Sequence, residues 1–239
     1  MLFKFKYLVS VITLLLFCKT GFNQTYTGGV GIGYGLYQMT EMKEFQENLK
    51  NSIDITNLAS VESFPGFIFY TAQFSYLPNE KLNSLGIEFN YYMTGARNHA
   101  ADYSGEYILD INLNGYRLGF NYKLYIDKIG SISMFVKPGA GGLFNEMELN
   151  EKLTVFDEEI FSESYSLHGF SAFIEPKVVF SLPVSDKFNV EFDIAYEYDF
   201  PNKINLKGEK DKILYLGYQN PLSIQWSGLK LGIDFIYIF

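Results

Sequence analysis

The chain has 239 residues, and its 27 acidic side chains against 19 basic ones give a formal charge of −8, which excludes the basic footprint of a nucleic-acid binder. Aromatics make up 18% of it, with 19 Tyr and 23 Phe, a share that suits aromatic girdles at two membrane interfaces. The mean hydropathy is near zero. Beyond the N-terminus no run of about 18 apolar residues exists, so helical membrane spans are excluded; a single Cys excludes a disulfide framework.

Residues 1–24 read as a signal peptide: Lys4 and Lys6 form the charged start, and Tyr7 to Cys18 the apolar run, too short for a transmembrane helix. Leu15-Leu16-Phe17-Cys18 vaguely resembles a lipoprotein box, but Phe17 is a poor fit where a small residue is wanted. Without residues 1–24, which carry Lys4, Lys6 and Lys19 and no acid, 16 basic and 27 acidic side chains remain, a formal charge of −11.

Residues 25–239 then read as a series of alternating strands. The first, Thr25 to Gln38, puts Tyr26, Val30, Ile32, Tyr34 and Leu36 on one face and Gly29, Gly31, Gly33 and Gly35 on the other. The glycines lack the spacing of a nucleotide loop, and in a narrow barrel they make room for side chains across the lumen. Residues 39–63 form a connection in which Met42, Phe45, Leu49 and Ile53 recur at helical spacing, a short helix packed on the rim and otherwise solvated. Strands follow over Phe64–Leu77 and Ser84–Thr94, joined by a turn at Pro78-Asn79-Glu80; a polar loop is expected from Gly95 to about Glu106.

The fourth strand, Tyr107 to Tyr125, changes parity: Tyr116, Leu118 and Phe120 share one face with the apolar set of its lower half, while Leu109, Ile111 and Leu113 fall on the other. A bulge near Asn114-Gly115 would reconcile the halves. After a tight turn at Asp127–Gly130 the fifth strand runs from Ser131 to Leu143, an acidic loop covers about 144–164, and the sixth strand spans about Tyr165–Leu182. Phe188–Phe200 is the seventh strand, a long loop covers Pro201 to about Ser223, and Gly228–Phe239 is the eighth. Connections alternate between long and short, as they do when long loops lie outside the cell and short turns in the periplasm. The fold class is therefore all-β: an eight-stranded antiparallel up-and-down transmembrane β-barrel with long external loops, one carrying a short helix. It must close, because unpaired backbone groups cannot face lipid. A soluble lipocalin-like barrel is the alternative, and its exterior would not be uniformly apolar.

Leu229, Leu231, Ile233, Phe235, Tyr237 and Phe239 alternate down to a final aromatic. With the eight strands, this pattern resembles the small bacterial outer-membrane β-barrels, such as the OmpA membrane domain and the PorT-type barrels of Bacteroidetes. The resemblance implies an outer-membrane location after export through the periplasm, contact with outer-membrane lipid, and a barrel-assembly signal formed by Leu231, Ile233, Phe235, Tyr237 and Phe239.

The inward faces carry Glu88, Glu175, Glu191, Asp193, Glu197, Asp199 and Asp234 together with Arg117, Lys123, Lys137, Lys177 and Lys230. Acids and bases in similar numbers on one face of a narrow barrel read as ion pairs filling the lumen; a solute path is the other reading. The acidic stripe of the seventh strand is weak evidence for a metal, and no metal or cofactor is expected. His99 and His168 are the only histidines and fall at or near loops; Glu163, Ser164 and Ser166 are near His168 in sequence, but no nucleophile motif surrounds either. The expectation is a structural or interaction barrel whose external loops meet a protein partner or the environment. A narrow pore is the alternative, and an outer-membrane lipid-modifying enzyme or protease stands third.

Overall fold

The computed structural model describes residues 25–53, 55, 57–78, 83–200, 203–206, 209–213, 215–216 and 220–239, by the backbone alone over 209–213, 215–216 and at 220. The segment 1–24, where a signal peptide is expected, and residues 79–82 of the expected Pro78-Asn79-Glu80 turn lie outside the described residues. Sixteen elements follow in chain order: β1 (Thr25–Tyr37), α1 (Thr40–Ser52), β2 (Ala59–Ser63), β3 (Phe67–Leu77), β4 (Ser84–Ala101), β5 (Gly105–Ile129), β6 (Ile132–Val136), β7 (Gly139–Val155), β8 (Glu158–Glu175), β9 (Lys177–Ser185), β10 (Phe188–Phe200), β11 (Asn205–Leu206), β12 (Glu209–Ile213), β13 (Tyr215–Leu216), β14 (Asn220–Pro221) and β15 (Gly228–Ile238).

These make a closed ring of eight antiparallel staves, β1, β3, β4, β5, β6 with β7, β9 with β8, β10 and β15. Pro138 and Pro176 cannot donate to a ladder, and each marks a break within one stave, between β6 and β7 and between β8 and β9. The ring shuts where β1 meets β15, in a register running from Thr27 opposite Ile238 to Tyr37 opposite Gly228. No open edge is left at that level, as lipid requires.

The two faces of the ring are opposite in character. Val30, Ile32, Tyr70, Leu85, Ile87, Phe89, Leu118, Phe120, Ile174, Phe192, Ile194, Leu231 and Phe235 all point outward and are exposed. Between them Glu88, Arg117, Lys137, Glu175, Lys177, Glu191, Asp193, Glu197, Lys230 and Asp234 are buried inside. A water-soluble barrel is built the other way round, so the lower ring is a membrane-spanning one. No helix among the described residues is long and apolar enough to cross a membrane; strands do the crossing. The interior glycines fit the narrowness of the lumen: a Cβ on Gly31 would overlap the Asp234 carboxylate, and one on Gly33 would come within 2.3 Å of the Phe69 ring.

Three expectations are corrected. The loops expected at 95–106 and 144–164 are paired strands: β4 runs on to Ala101 opposite Glu106 of β5, and β7 pairs with β8 up to Val155 opposite Glu158. A two-residue turn at Phe156 and Asp157, both with positive φ, closes the second hairpin as a type I′ turn does. The bulge expected near Asn114-Gly115 is absent, since β5 holds an unbroken register with both β4 and β7 through those residues. Leu109, Ile111 and Leu113 simply stay inside with Arg117, each nearly fully buried. What changes along β5 is the surroundings. Below Tyr116 the strand faces lipid and hides charge; above it, Asp110 and Asn112 lie on the outward face and the apolar side chains are inside. A register slip does occur in β5, lower down, between Tyr125 and Asp127.

Third, α1 is not a solvated helix resting on the rim. Met39 and Met42 are fully buried and Phe45 nearly so, in one apolar cluster with Tyr37, Phe64, Tyr92, Leu113, Leu143, Met147, Leu167 and Trp226. Gln46 is buried too, and its amide nitrogen donates to Asn98 Oδ1 at 2.8 Å and to the Glu62 carbonyl at 2.7 Å. The segment between β10 and β15 joins the same cluster through Ile204, Leu222, Ile224 and Trp226.

Candidate functional site: the lumen and the upper hairpins

Period-two alternation decides which side chains reach the lumen, and register decides which of them meet. Glu88 lies opposite Gly119 on β5, beside Arg117. The guanidinium gathers three carboxylates. Arg117 Nη1 donates to Glu88 at 2.9 Å, Nη2 lies 3.0 Å from Glu175, and Nε lies 3.2 Å from Glu197. A further contact runs from Nη1 to Asn90 Oδ1, and the guanidinium carbon sits 3.9 Å from the centre of the Phe173 ring.

Lysines complete the charge balance around this centre. Lys137 Nζ donates to Glu88 and to Gln73, at 2.7 Å each. Lys177 Nζ lies 3.2 Å from Glu88, 3.4 Å from Glu175 and 3.7 Å from Asp193. Lys230 Nζ donates to Glu197 at 2.7 Å and to the Tyr92 hydroxyl at 2.8 Å, and it also touches Glu175. Lys123 pairs with Glu191 nearer the short-turn end. Asp234 accepts from Gln73 Nε2 at 2.8 Å, which ties it to Lys137 through one shared amide. The twelve inward charges read from the alternation, Glu88, Arg117, Lys123, Lys137, Glu175, Lys177, Glu191, Asp193, Glu197, Asp199, Lys230 and Asp234, all lie on the inner face. A buried ion whose partner is removed costs several kcal/mol, and dense mutual pairing is what makes so many tolerable.

Above the charges lies an apolar layer. Trp226 is fully buried, edge-on to Tyr37 at 4.8 Å between ring centres and tilted against Tyr92 at 5.4 Å. Its indole N–H donates to Asn145 Oδ1 at 2.7 Å, which satisfies the one polar atom of the ring. Gly115 faces the indole, and a Cβ there would meet it at 3.2 Å. Asp199 accepts the Trp226 backbone N–H at 3.2 Å. This layer has a weak signal in the sequence: one Trp between the expected loop, which ends near Ser223, and the last strand from Gly228.

On the outside, Tyr91, Tyr116, Phe144 and His168 form a ladder across β4, β5, β7 and β8, with successive ring centres 5.4, 6.3 and 6.3 Å apart. Tyr91 donates to Asn114 at 2.7 Å and Tyr116 to Glu146 at 3.4 Å, so both hydroxyls meet polar groups above the belt. That arrangement marks a membrane–water boundary. At the other end Tyr26 lies against Phe74 and Tyr76, and Tyr237 against Phe239. Leu231, Ile233, Phe235, Tyr237 and Phe239 are all exposed on the lipid side.

The histidines lie on strands, not loops. His99 of β4 pairs with Glu106 at 2.9 Å, and Ser164 donates to Asn150, while His168 rests on Phe144. Among the described residues no group of three or more His, Cys, Asp or Glu side chains is arranged to hold a metal. Outside the membrane, the hydroxyl and N–H of Ser104 and the N–H of Gly105 all donate to the Asp102 carboxylate and hold its pKa below the ordinary value of 3.8.

A closed barrel with an apolar exterior, a charged interior and two aromatic girdles defines a transmembrane β-barrel of the outer-membrane type. No family model matches the chain, and no curated protein sequence matches it. Among solved structures it is similar to the Neisserial surface protein A, at 10% identity over 90% of this chain and 97% of that one, with a TM-score of 0.39. A major outer-membrane protein of Thermus thermophilus is similar at 10% identity over 90% and 99%, with a TM-score of 0.44. The attachment invasion locus protein Ail of Yersinia pestis is similar at 12% identity over 90% and 97%, with a TM-score of 0.33. Likeness at this level carries neither a family nor a function across.

Proposed function

We propose that this protein is an outer-membrane barrel of the structural or interaction type, its lumen closed and its external hairpins meeting partners. The observation that carries this reading is the filling of the lumen in two layers: Arg117 among three carboxylates, and the Trp226 cluster above it. Between Glu146 and Glu163 the second hairpin holds seven acids and one base, Lys152, so a partner with a basic face suits it. The pairing of His99 and the position of His168 support a non-enzymatic role. From the resemblance to small outer-membrane barrels, the outward row from Leu231 to Phe239 is proposed to be the surface read by the barrel-assembly machinery, after export directed by residues 1–24. The test is conductance of the purified protein in a planar bilayer. A flat trace at either polarity is expected; steady open steps would instead favour a narrow pore.

A further inference from the structure

The tips of the β4–β5 and β7–β8 hairpins lie side by side, with Gly105 opposite Val155. The Phe156 N–H donates to the Ser104 carbonyl at 2.8 Å. A Cβ on Gly105 would come within 2.3 Å of the Thr154 carbonyl oxygen, so glycine is what lets the tips approach this closely. Asp102 fixes the first tip by accepting from the Ser104 hydroxyl and from the N–H groups of Ser104 and Gly105. On this platform stand two aromatics, Tyr103 at 97% exposure and Phe156 at 73%.

Phe156 is the more informative of the two. Its φ is 47° and that of Asp157 is 67°, the left-handed conformation of a tight hairpin turn. Asn and Gly adopt it readily, whereas a bulky aromatic is strained in it. Burial of the ring would offset that strain, yet the ring stands in water. Strain held without internal compensation is characteristic of residues that act on something outside the fold.

Height and charge define the occupant. Tyr91 belongs to the girdle, and from it to Ala101 β4 runs on for roughly 30 Å at about 3.3 Å per residue, so the tips stand well clear of the lipid headgroups. Asp102, Glu106, Asp157, Glu158 and Glu159 flank them in the chain. The nearest base along these hairpins, Lys152, is tied to Glu159 at 3.2 Å. An anionic lipid surface, or a second copy of this acidic chain, would bring like charge to that rim. We infer, on the reading of the external hairpins as the interacting part, that Tyr103 and Phe156 are paired anchors for a protein offering an apolar patch flanked by Lys or Arg. Aromatics held on a preformed platform lose little freedom on binding, and the acids around them steer and select a basic partner.

The test pans a phage-displayed library of random peptides against the full protein in nanodiscs, with counter-selection on empty nanodiscs. Enriched peptides are then measured on the wild type, on the Tyr103→Ser, Phe156→Asn tip variant and on a Glu158→Gln, Glu159→Gln charge variant. They should combine apolar residues with Lys or Arg and bind the tip variant about tenfold more weakly, equivalent to ~1.4 kcal/mol. Because Asn suits the left-handed turn, the tip variant should keep its heat-modifiable band to at least the wild-type temperature. A lower temperature would make Phe156 a structural residue and overturn its role as an anchor. Binding lost in the charge variant and kept in the tip variant would overturn the anchors while leaving the hairpins as the interacting part. Failure of any peptide to enrich would count against both. Tip-dependent dimers, or tip-dependent binding to phosphatidylglycerol vesicles, would overturn the assignment in favour of a second copy or a bilayer.

Discussion

Arg117 is the residue on which most of the lumen leans: its guanidinium serves Glu88, Glu175 and Glu197 at 2.9 to 3.2 Å, and Phe173 covers its carbon. Removing one partner of a buried ionic group strands the others, at roughly 3–5 kcal/mol. Arg117→Leu is therefore expected to lower the temperature at which the folded band disappears on an SDS gel, and Arg117→Lys to lower it less. The Asp102 turn gives a second test at this scale. Its carboxylate titrates below 3.8 in the folded chain, so the turn holds above the ordinary carboxylate range and loosens as pH falls through the lowered value. The Ser104 amide shift should follow that titration by NMR, with a midpoint below 3.8. The charged side chains of the lumen were legible in the sequence because alternation alone sorts inward from outward. Their partners were not, because contact depends on register across staves far apart in sequence: Tyr92 reaches Glu197 across 105 positions.

At the scale of elements, β5 shows where reading by hydropathy fails. Its inward set runs from Tyr107 through Ile111 and Leu113 to Arg117 without a break, yet it changes from apolar to charged on the way. A fixed apolar-out template turns that change into a bulge, whereas the strand has passed from water into lipid. The same template turned the upper parts of β4, β7 and β8 into loops. The helix α1 was legible from the spacing of Met42, Phe45 and Leu49; its seat inside the mouth was not, since an amphipathic face does not name what covers it. Met42 is fully buried, and cutting a buried Met to Ala costs about 2–5 kcal/mol. Met42→Ala should speed hydrogen exchange of the α1 amides and leave those of β1 and β15 unchanged. Exchange accelerating equally in all three would mean that α1 and the ring open as one unit.

For the whole molecule, one closed ring serves two solvents. In the membrane it is apolar outside and charged within; above the aromatic ladder it takes the arrangement of a water-soluble barrel, with α1 and the segment before β15 folded into its mouth. The lower half was legible, including every outward face of the belt, because lipid imposes one rule on all eight staves. The upper half was hidden, because its core is assembled from segments that carry no alternation of their own. Trp226, the only tryptophan, stands at the centre of that core and is fully buried. Acrylamide quenching of its fluorescence in the folded barrel is therefore the most direct test of the proposed closure of the lumen. The slope should be a small fraction of that for the urea-unfolded chain, with blue-shifted emission; a slope equal to that of the unfolded chain would contradict the closed lumen outright.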